Sequence, residues 1–209
     1  MMTQIEQARS GQMSKEMKLV AQDEAVAAEV VQEKVAAGEL VIPANRLHLG
    51  LNLKAAGIGR ILRTKVNANI GTSSVSSSIE GEMEKMRTAL SAGADAIMDL
   101  STGDKLDETR ERLLSECPVP FGTVPIYEMI EGRDVEDING RVILETIEKQ
   151  ARQGVDFFTI HAGVLKSTLA LWRIVLVGLS AGAVRCWRSG CCIIISRIRF
   201  TRCSMNCVI

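Results

Sequence analysis

The stretch from Thr64 to Gly103 constrains this chain more than any other. It reads TKVNANIGTSS, then a segment of helical spacing, then DAIMDLSTG. Each of its two apolar runs ends in small and polar residues. Val66 and Ile70 bracket Asn67 and Asn69, while Ala96, Ile97 and Met98 lead into Asp99, Ser101, Thr102 and Gly103. Between the runs, Ile79, Met83, Met86 and Leu90 recur at helical spacing. Ser76 to Ser78 offer N-caps and Gly93 a stop. This predicts strand, helix, strand, with a connection long enough for a parallel pair.

The pattern repeats. Phe121 to Tyr127 (FGTVPIY) is a third apolar run, after a charged helix carrying Leu113 and Leu114. Asp156 to His161 (DFFTIH) is a fourth, after the helical VILETIEKQARQG. Asn69, Met98, Tyr127 and His161 each fall at the C-terminal end of a run. In a βα-repeat all strands point the same way, so these four side chains are expected on one rim. In a (β/α)8 barrel that rim carries the chemistry. Each residue also has a structural alternative: Met98 as core filler, Asn69 as turn chemistry, Tyr127 as a strand-end plug beside Pro125, and His161 as a structural histidine.

At 209 residues the chain suits one domain but is short for a complete eight-fold barrel, which usually needs about 250 residues. Four βα units are visible. The expected class is therefore α/β, a partial (β/α)8 TIM-type barrel preceded by N-terminal helices. A net charge of zero gives no argument for nucleic acid, and 3% aromatics argue against base-stacking platforms. The start, MMTQIEQARSGQMSKE, lacks an apolar signal-peptide core, so the expectation is a cytoplasmic protein.

The balanced charge hides an abrupt shift. Residues 172–209 hold Arg173, Arg185, Arg188, Arg197, Arg199 and Arg202, with no Lys, Asp or Glu. The body before Trp172 thus carries 19 basic and 25 acidic residues, net −6, against +6 in the tail. Five of the six cysteines (Cys186, Cys191, Cys192, Cys203 and Cys207) and both tryptophans also lie there. Three segments follow from this: residues 1–62 as a helical and extended segment packing on the barrel, 63–168 as the first half of the barrel, and 169–209 as an aberrant tail. In the first, Ser14 caps a helix with Met17, Val20 and Ala21, and a second from Ala27 to Ala37 ends at Gly38. VIPANRLH (Val41 to His48) is expected to be extended, since Pro43 restricts Ile42, and Gly50 to Gly59 to be a loop.

The motifs VIPAN, TKVNANIGTS, ADAIMDLSTG, PVPFGTVPIY and GVDFFTIHAGV, in this order, closely resemble phosphomethylpyrimidine synthases, radical S-adenosylmethionine enzymes of thiamine biosynthesis. The resemblance covers about residues 1–170. It implies a (β/α)8 barrel that converts 5-aminoimidazole ribotide to hydroxymethylpyrimidine phosphate. It also implies a [4Fe-4S] cluster, S-adenosylmethionine, an active-site zinc or iron ion, and a homodimer. The family's substrate contacts fall on the Asn of NANIG, the Met of IMDLS, the Tyr of VPIY and the His of TIHAG. In this sequence they are Asn69, Met98, Tyr127 and His161, none of them a metal or cluster ligand in the family.

After Lys166 the family pattern stops. The Ser-Arg-Gly-Gly phosphate loop, the Asp-Gly-Leu-Arg motif, the metal-binding histidines and the cluster-binding cysteine triplet are absent from these 209 residues. Cys203-Ser-Met-Asn-Cys207 echoes the triplet but lacks its third thiolate, and no tail cysteine spacing matches a zinc pattern. Leu169 to Val184 is apolar, yet about 16 residues with Arg173 inside falls short of the roughly 20 that a membrane span needs. With permitted codons, Val177 to Val184 read two bases later becomes Gly-Ile-Val-Ser-Arg-Gly-Gly-Ala, which restores the phosphate loop. The tail is therefore expected to be a frame-shifted translation, and the chain a truncated, inactive family member. The alternatives are a non-catalytic substrate-binding half-barrel and a chimera with a functional tail.

Overall fold

The computed structural model describes residues 2–73, 78–103, 105–134 and 137–160. The N-terminal part is helical, as the caps imply. Helix α1 (Gln4–Arg9) opens with a capping box between Thr3 and Glu6. In α2 (Lys15–Asp23) the Ser14 hydroxyl accepts the Met17 N–H, and Met17, Val20 and Ala21 form the buried stripe. Helix α3 (Ala28–Ala37) buries Val31 and Val35 and is closed by Gly38 in the left-handed region. These stripes meet Leu40 and Ile42 in one apolar cluster, with Ala55 and Leu62 packed against it.

VIPANRLH is only partly extended. Strand β1 (Leu40–Val41) runs into a helical turn, α4 (Arg46–Leu49), because the Asn45 side chain caps the Leu47 N–H. The expected loop also contains β2 (Ile58–Gly59), antiparallel to β1. A two-residue pairing carries too few alternating side chains to be read from sequence.

The body is the expected βα-repeat. Strands β3 (Asn67–Ile70), β4 (Ala96–Asp99), β5 (Phe121–Thr123) and β6 (Phe157–Phe158) form one parallel sheet in sequence order. The crossovers are α5 (Ile79–Ser91, capped by Ser78), α6 (Leu106–Glu116), and α8 (Gly140–Gln153, capped by Asn139). A short α7 (Pro125–Met129) precedes α8. One face of the sheet presents Ile70, Ile97 and Phe121 to Met83, Met86, Leu113 and Leu114 of the helices. This is mixed α/β architecture with a four-stranded parallel arc, consistent with part of a (β/α)8 barrel.

A polar lock fastens the N-terminal segment to the sheet. His48 is fully buried, its Nδ1 2.6 Å from Asp156 Oδ2 and its Nε2 2.7 Å from the Cys117 carbonyl oxygen. Asp156 also accepts the backbone N–H groups of Asn45 (2.6 Å) and Phe121 (2.7 Å). Asn45 Nδ2 donates to the Ala151 and Val155 carbonyls. The lock grips the N-terminal ends of β5 and β6, the face of such a repeat that reads as stability.

Candidate functional site

Side chains alternate along a strand, so the register sorts this sheet into two faces. Ile70, Asp99, Thr123 and Phe158 share one register row, on the helix side. Asn69, Met98, Gly122 and Phe157 share the adjacent row, on the opposite, inner face. Asn69 and Asn67 are exposed there, while Met98 and Phe157 are half-buried.

Gly122 makes room in this row. A Cβ at Gly122 would lie 2.3 Å from Cε2 and Cζ of Phe157, so the Phe157 ring lies across the Gly122 backbone. The Thr159 hydroxyl approaches the Met98 sulfur at 3.6 Å. The inner face is therefore floored by an amide, a thioether and an aromatic ring. Phe157 and Gly122 were not among the sequence-derived site residues. Gly122 inside an apolar strand was the available signal, since a strand glycine often marks close approach.

The ends of β3 and β4 are tied together. The Leu100 N–H donates to the Ile70 carbonyl (2.8 Å), Thr72 N–H to Ser101 Oγ (3.0 Å), and Thr102 N–H to the Thr72 carbonyl (3.0 Å). Gly71 takes a positive φ of 155° and its Cα abuts the Leu100–Ser101 peptide, where a Cβ would lie 2.7 Å from backbone atoms. The Gly71 N–H donates to Glu82 Oε2 (2.8 Å), and Lys85 pairs with Glu82 Oε1 (2.6 Å). These bonds hold the backbone behind Asn69 and Met98 in fixed register.

Tyr127 is not at a strand end. Strand β5 stops at Thr123, and Pro125 starts α7, where its fixed φ and missing N–H suit the first helical turn. Tyr127 is carried one helical turn further, half-buried against the cluster of Val124, Ile126, Met129, Ile138, Ile143 and Ile147. Met98 packs against that same cluster. The structure thus sets Asn69 beside Met98 by register and brings Met98 and Tyr127 to one cluster. His161 lies outside the described residues, as does the tail with its five cysteines.

Two carboxyls behind the sheet are perturbed in opposite directions. Burial pushes Asp99 above its ordinary value, against the hydrogen bonds from Ser101 and the charge of Arg110. Burial also works to raise Glu128, but the hydrogen bond from Lys149, the charge of Arg110 and the bond from Gln150 outweigh it and hold the carboxyl low. Gln150 in turn accepts the Thr123 hydroxyl at 2.6 Å. This network fixes α7, and hence the backbone that carries Tyr127, to α6 and α8.

An inner row of Asn, Met, Gly and Phe has no ionisable group. It can grip the edge and face of a flat polar ring but not move a proton. A [4Fe-4S] cluster does not fit the described residues either. Their one cysteine, Cys117, is buried, and burial pushes its thiol up to about 12. Among the described residues, no group of three or more His, Cys, Asp or Glu side chains could hold a metal ion. A concavity of about 570 Å³ opens at Gly132, Arg133, Asp134, Asp137 and Val142. It belongs to the α7–α8 connection rather than to this row.

Parallel βα units in sequence order, anchored at one end of the strands and tied together at the other, define the class: an α/β protein whose four-stranded parallel sheet is consistent with part of a barrel. Comparison with known proteins makes the assignment specific. The profile of the radical SAM ThiC family matches residues 3–177, and the chain belongs to that family. A phosphomethylpyrimidine synthase of Haloarcula marismortui is 51% identical over 171 residues, covering 81% of this chain and 35% of that protein. One from Desulforudis audaxviator is 51% identical over 173 residues, covering 80% and 40% respectively. One from Carboxydothermus hydrogenoformans is 46% identical, again over 80% and 40%. The chain thus spans between 35% and 40% of the length of these curated relatives. The profile match ends at 177, inside the segment 169–209 set apart by composition. Among the described residues no helix is long and apolar enough to cross a membrane.

Proposed function

We propose that residues 63–168 form the substrate-holding half of a phosphomethylpyrimidine synthase barrel, with 1–62 as its packing segment. The ligand is 5-aminoimidazole ribotide. Asn69 hydrogen-bonds its polar edge, Met98 lies against its ring, and Tyr127 and His161 contribute a hydroxyl and an imidazole from the rim. The observation that carries this reading is the register of β3 with β4, which seats Asn69 next to Met98 on the inner face.

Intact family members add a [4Fe-4S] cluster, S-adenosylmethionine and a zinc or iron ion, which together generate and direct the radical. Among the described residues no set of side chains fits the cluster or the ion, so the role assigned to this half is binding and orientation. The 209-residue polypeptide alone is non-catalytic, and the family setting is a cytoplasmic homodimer.

The test is calorimetric titration of the full chain with the ribotide and with the corresponding riboside. Both should bind within a few-fold of each other, because the family's phosphate loop is missing from this sequence. Asn69→Ala should weaken both by about tenfold, the loss of one hydrogen bond to a polar ligand. Absence of binding, or an Asn69→Ala variant indistinguishable from wild type, would defeat the assignment.

A further inference from the structure

Asn67 and Asn69 lie two residues apart on β3, so both side chains stand on the inner face. Both are exposed, and the two amides are not independent: Asn67 Nδ2 donates to Asn69 Oδ1 at 2.9 Å. A carboxamide is planar, with its oxygen and nitrogen diverging from Cγ in different directions. Pinning Oδ1 back toward Asn67, on the N-terminal side, turns Nδ2 toward the C-terminal rim. Among the described residues, no acceptor takes up the Asn69 Nδ2 hydrogens.

We propose that Asn67 is a positioning residue that fixes the Asn69 amide with its NH2 group, a donor only, toward the ligand. This rests on the substrate-holding reading above and adds the polarity of the contact. An aminoimidazole riboside offers both kinds of group: acceptors at its unprotonated ring nitrogen and ribose oxygens, and a donor at its exocyclic amine. The geometry selects an acceptor atom for Asn69 and excludes the amine. Asn67 touches no ligand atom in this arrangement; it acts through Asn69.

The substitution that tests this is Asn67→Asp. It is nearly isosteric, but its carboxylate can only accept. It therefore draws the Asn69 NH2 back toward residue 67 and turns Oδ1 to the rim. Asn67→Ala removes the partner without imposing the reverse orientation.

The first readout needs no ligand. In 15N-labelled full chain, one Asn67 Nδ2 proton should be shifted and protected from exchange, and Asn69→Ala should abolish that protection. In Asn67→Asp the protection should move to the Asn69 Nδ2 protons. Two freely exchanging amides in wild type, or Asn69 signals unchanged by Asn67→Asp, would overturn the proposal whether or not ligand binds.

The second readout is affinity for the aminoimidazole riboside, which lacks the phosphate that a new carboxylate would repel. Asn67→Asp should weaken binding about tenfold and Asn67→Ala only a few-fold. Equal losses would mean Asn67 serves as a simple spacer and would refute the orientation. Wild-type chain that shows the amide signature but binds no riboside would instead count against the substrate assignment.

Discussion

His48 and Asp99 are both enclosed, yet they bear on stability in different ways. Each ring nitrogen of His48 faces an acceptor, Asp156 Oδ2 and the Cys117 carbonyl. Removing the ring would leave a buried carboxylate short of a partner and open a cavity. His48→Ala is expected to cost about 3–5 kcal/mol, a large part of a typical domain's margin, and to lower the urea midpoint sharply. A loss under 1 kcal/mol would show that the lock is dispensable. Asp99 works in the opposite sense. Its carboxyl is raised chiefly by burial, opposed by Ser101 and Arg110. A raised acid loses its proton more readily in the unfolded chain, so it costs no stability below the ordinary aspartate value. The cost grows as pH rises through that value of about 4 toward the folded one. Asn at this position keeps an acceptor for the Ser101 N–H, now 2.9 Å from Asp99 Oδ1, and has no charge to bury. The melting temperature of Asp99→Asn minus that of wild type should be near zero at pH 3 and positive at pH 7. A difference that is flat, or largest in acid, contradicts this account.

Strand β5 has a glycine, Gly122, where its neighbours in the row, Met98 and Phe157, have side chains. Gly122 lies beneath the Phe157 ring, and a methyl group there would collide with Cε2 and Cζ. Gly122→Ala should therefore destabilise by about 1–3 kcal/mol through overpacking. The same change made in a Phe157→Ala background should cost much less. Additive losses in that double-mutant cycle would mean that the ring and the glycine are uncoupled. This pair also shows where the sequence was legible. Apolar runs, serine caps and closing glycines gave the βα-repeat, and with it Asn69 and Met98 on adjacent strands. Alternation within one strand is local, so it can be read. The Phe157–Gly122 contact joins strands 35 residues apart and follows from register, which a three-residue run does not specify. Tyr127 falls beyond the strand for a local reason: FGTVPIY reads as one mainly apolar run, but Pro125 ends the strand character and starts α7. The His48–Asp156 lock spans 108 positions, and neither residue stands out in its own motif.

At the scale of the whole molecule the question is what residues 169–209 encode. Up to Lys166 the chain reads as a family member, and the family profile runs to residue 177. From Trp172 onward there is no acid and no lysine, while six arginines, five cysteines and both tryptophans gather. Selection on a folded barrel does not change composition at one point across charge, thiol and aromatic content together. A change of reading frame does, because every codon is then read from the wrong base. With permitted codons, Val177 to Val184 read two bases later can encode Ser-Arg-Gly-Gly, about 20 residues past the TIHAG motif, where the family's phosphate loop belongs. A tail of this origin supplies no selected ligand geometry, and a cluster needs three or four thiolates in fixed positions. The polypeptide is thus expected to stay colourless after iron–sulfur reconstitution and to form no hydroxymethylpyrimidine phosphate with S-adenosylmethionine and reductant. Its tail cysteines should react with a thiol reagent at pH 8, while Cys117, its thiol pushed up to about 12 by burial, is modified only on unfolding. The gene decides the origin: an insertion or deletion of one or two bases near the codons for Leu169 to Arg173, with the remaining barrel and the cysteine triplet downstream in another frame. Downstream DNA with no such frame would make the tail a genuine extension. A brown reconstituted protein that turns over would make it a functional one.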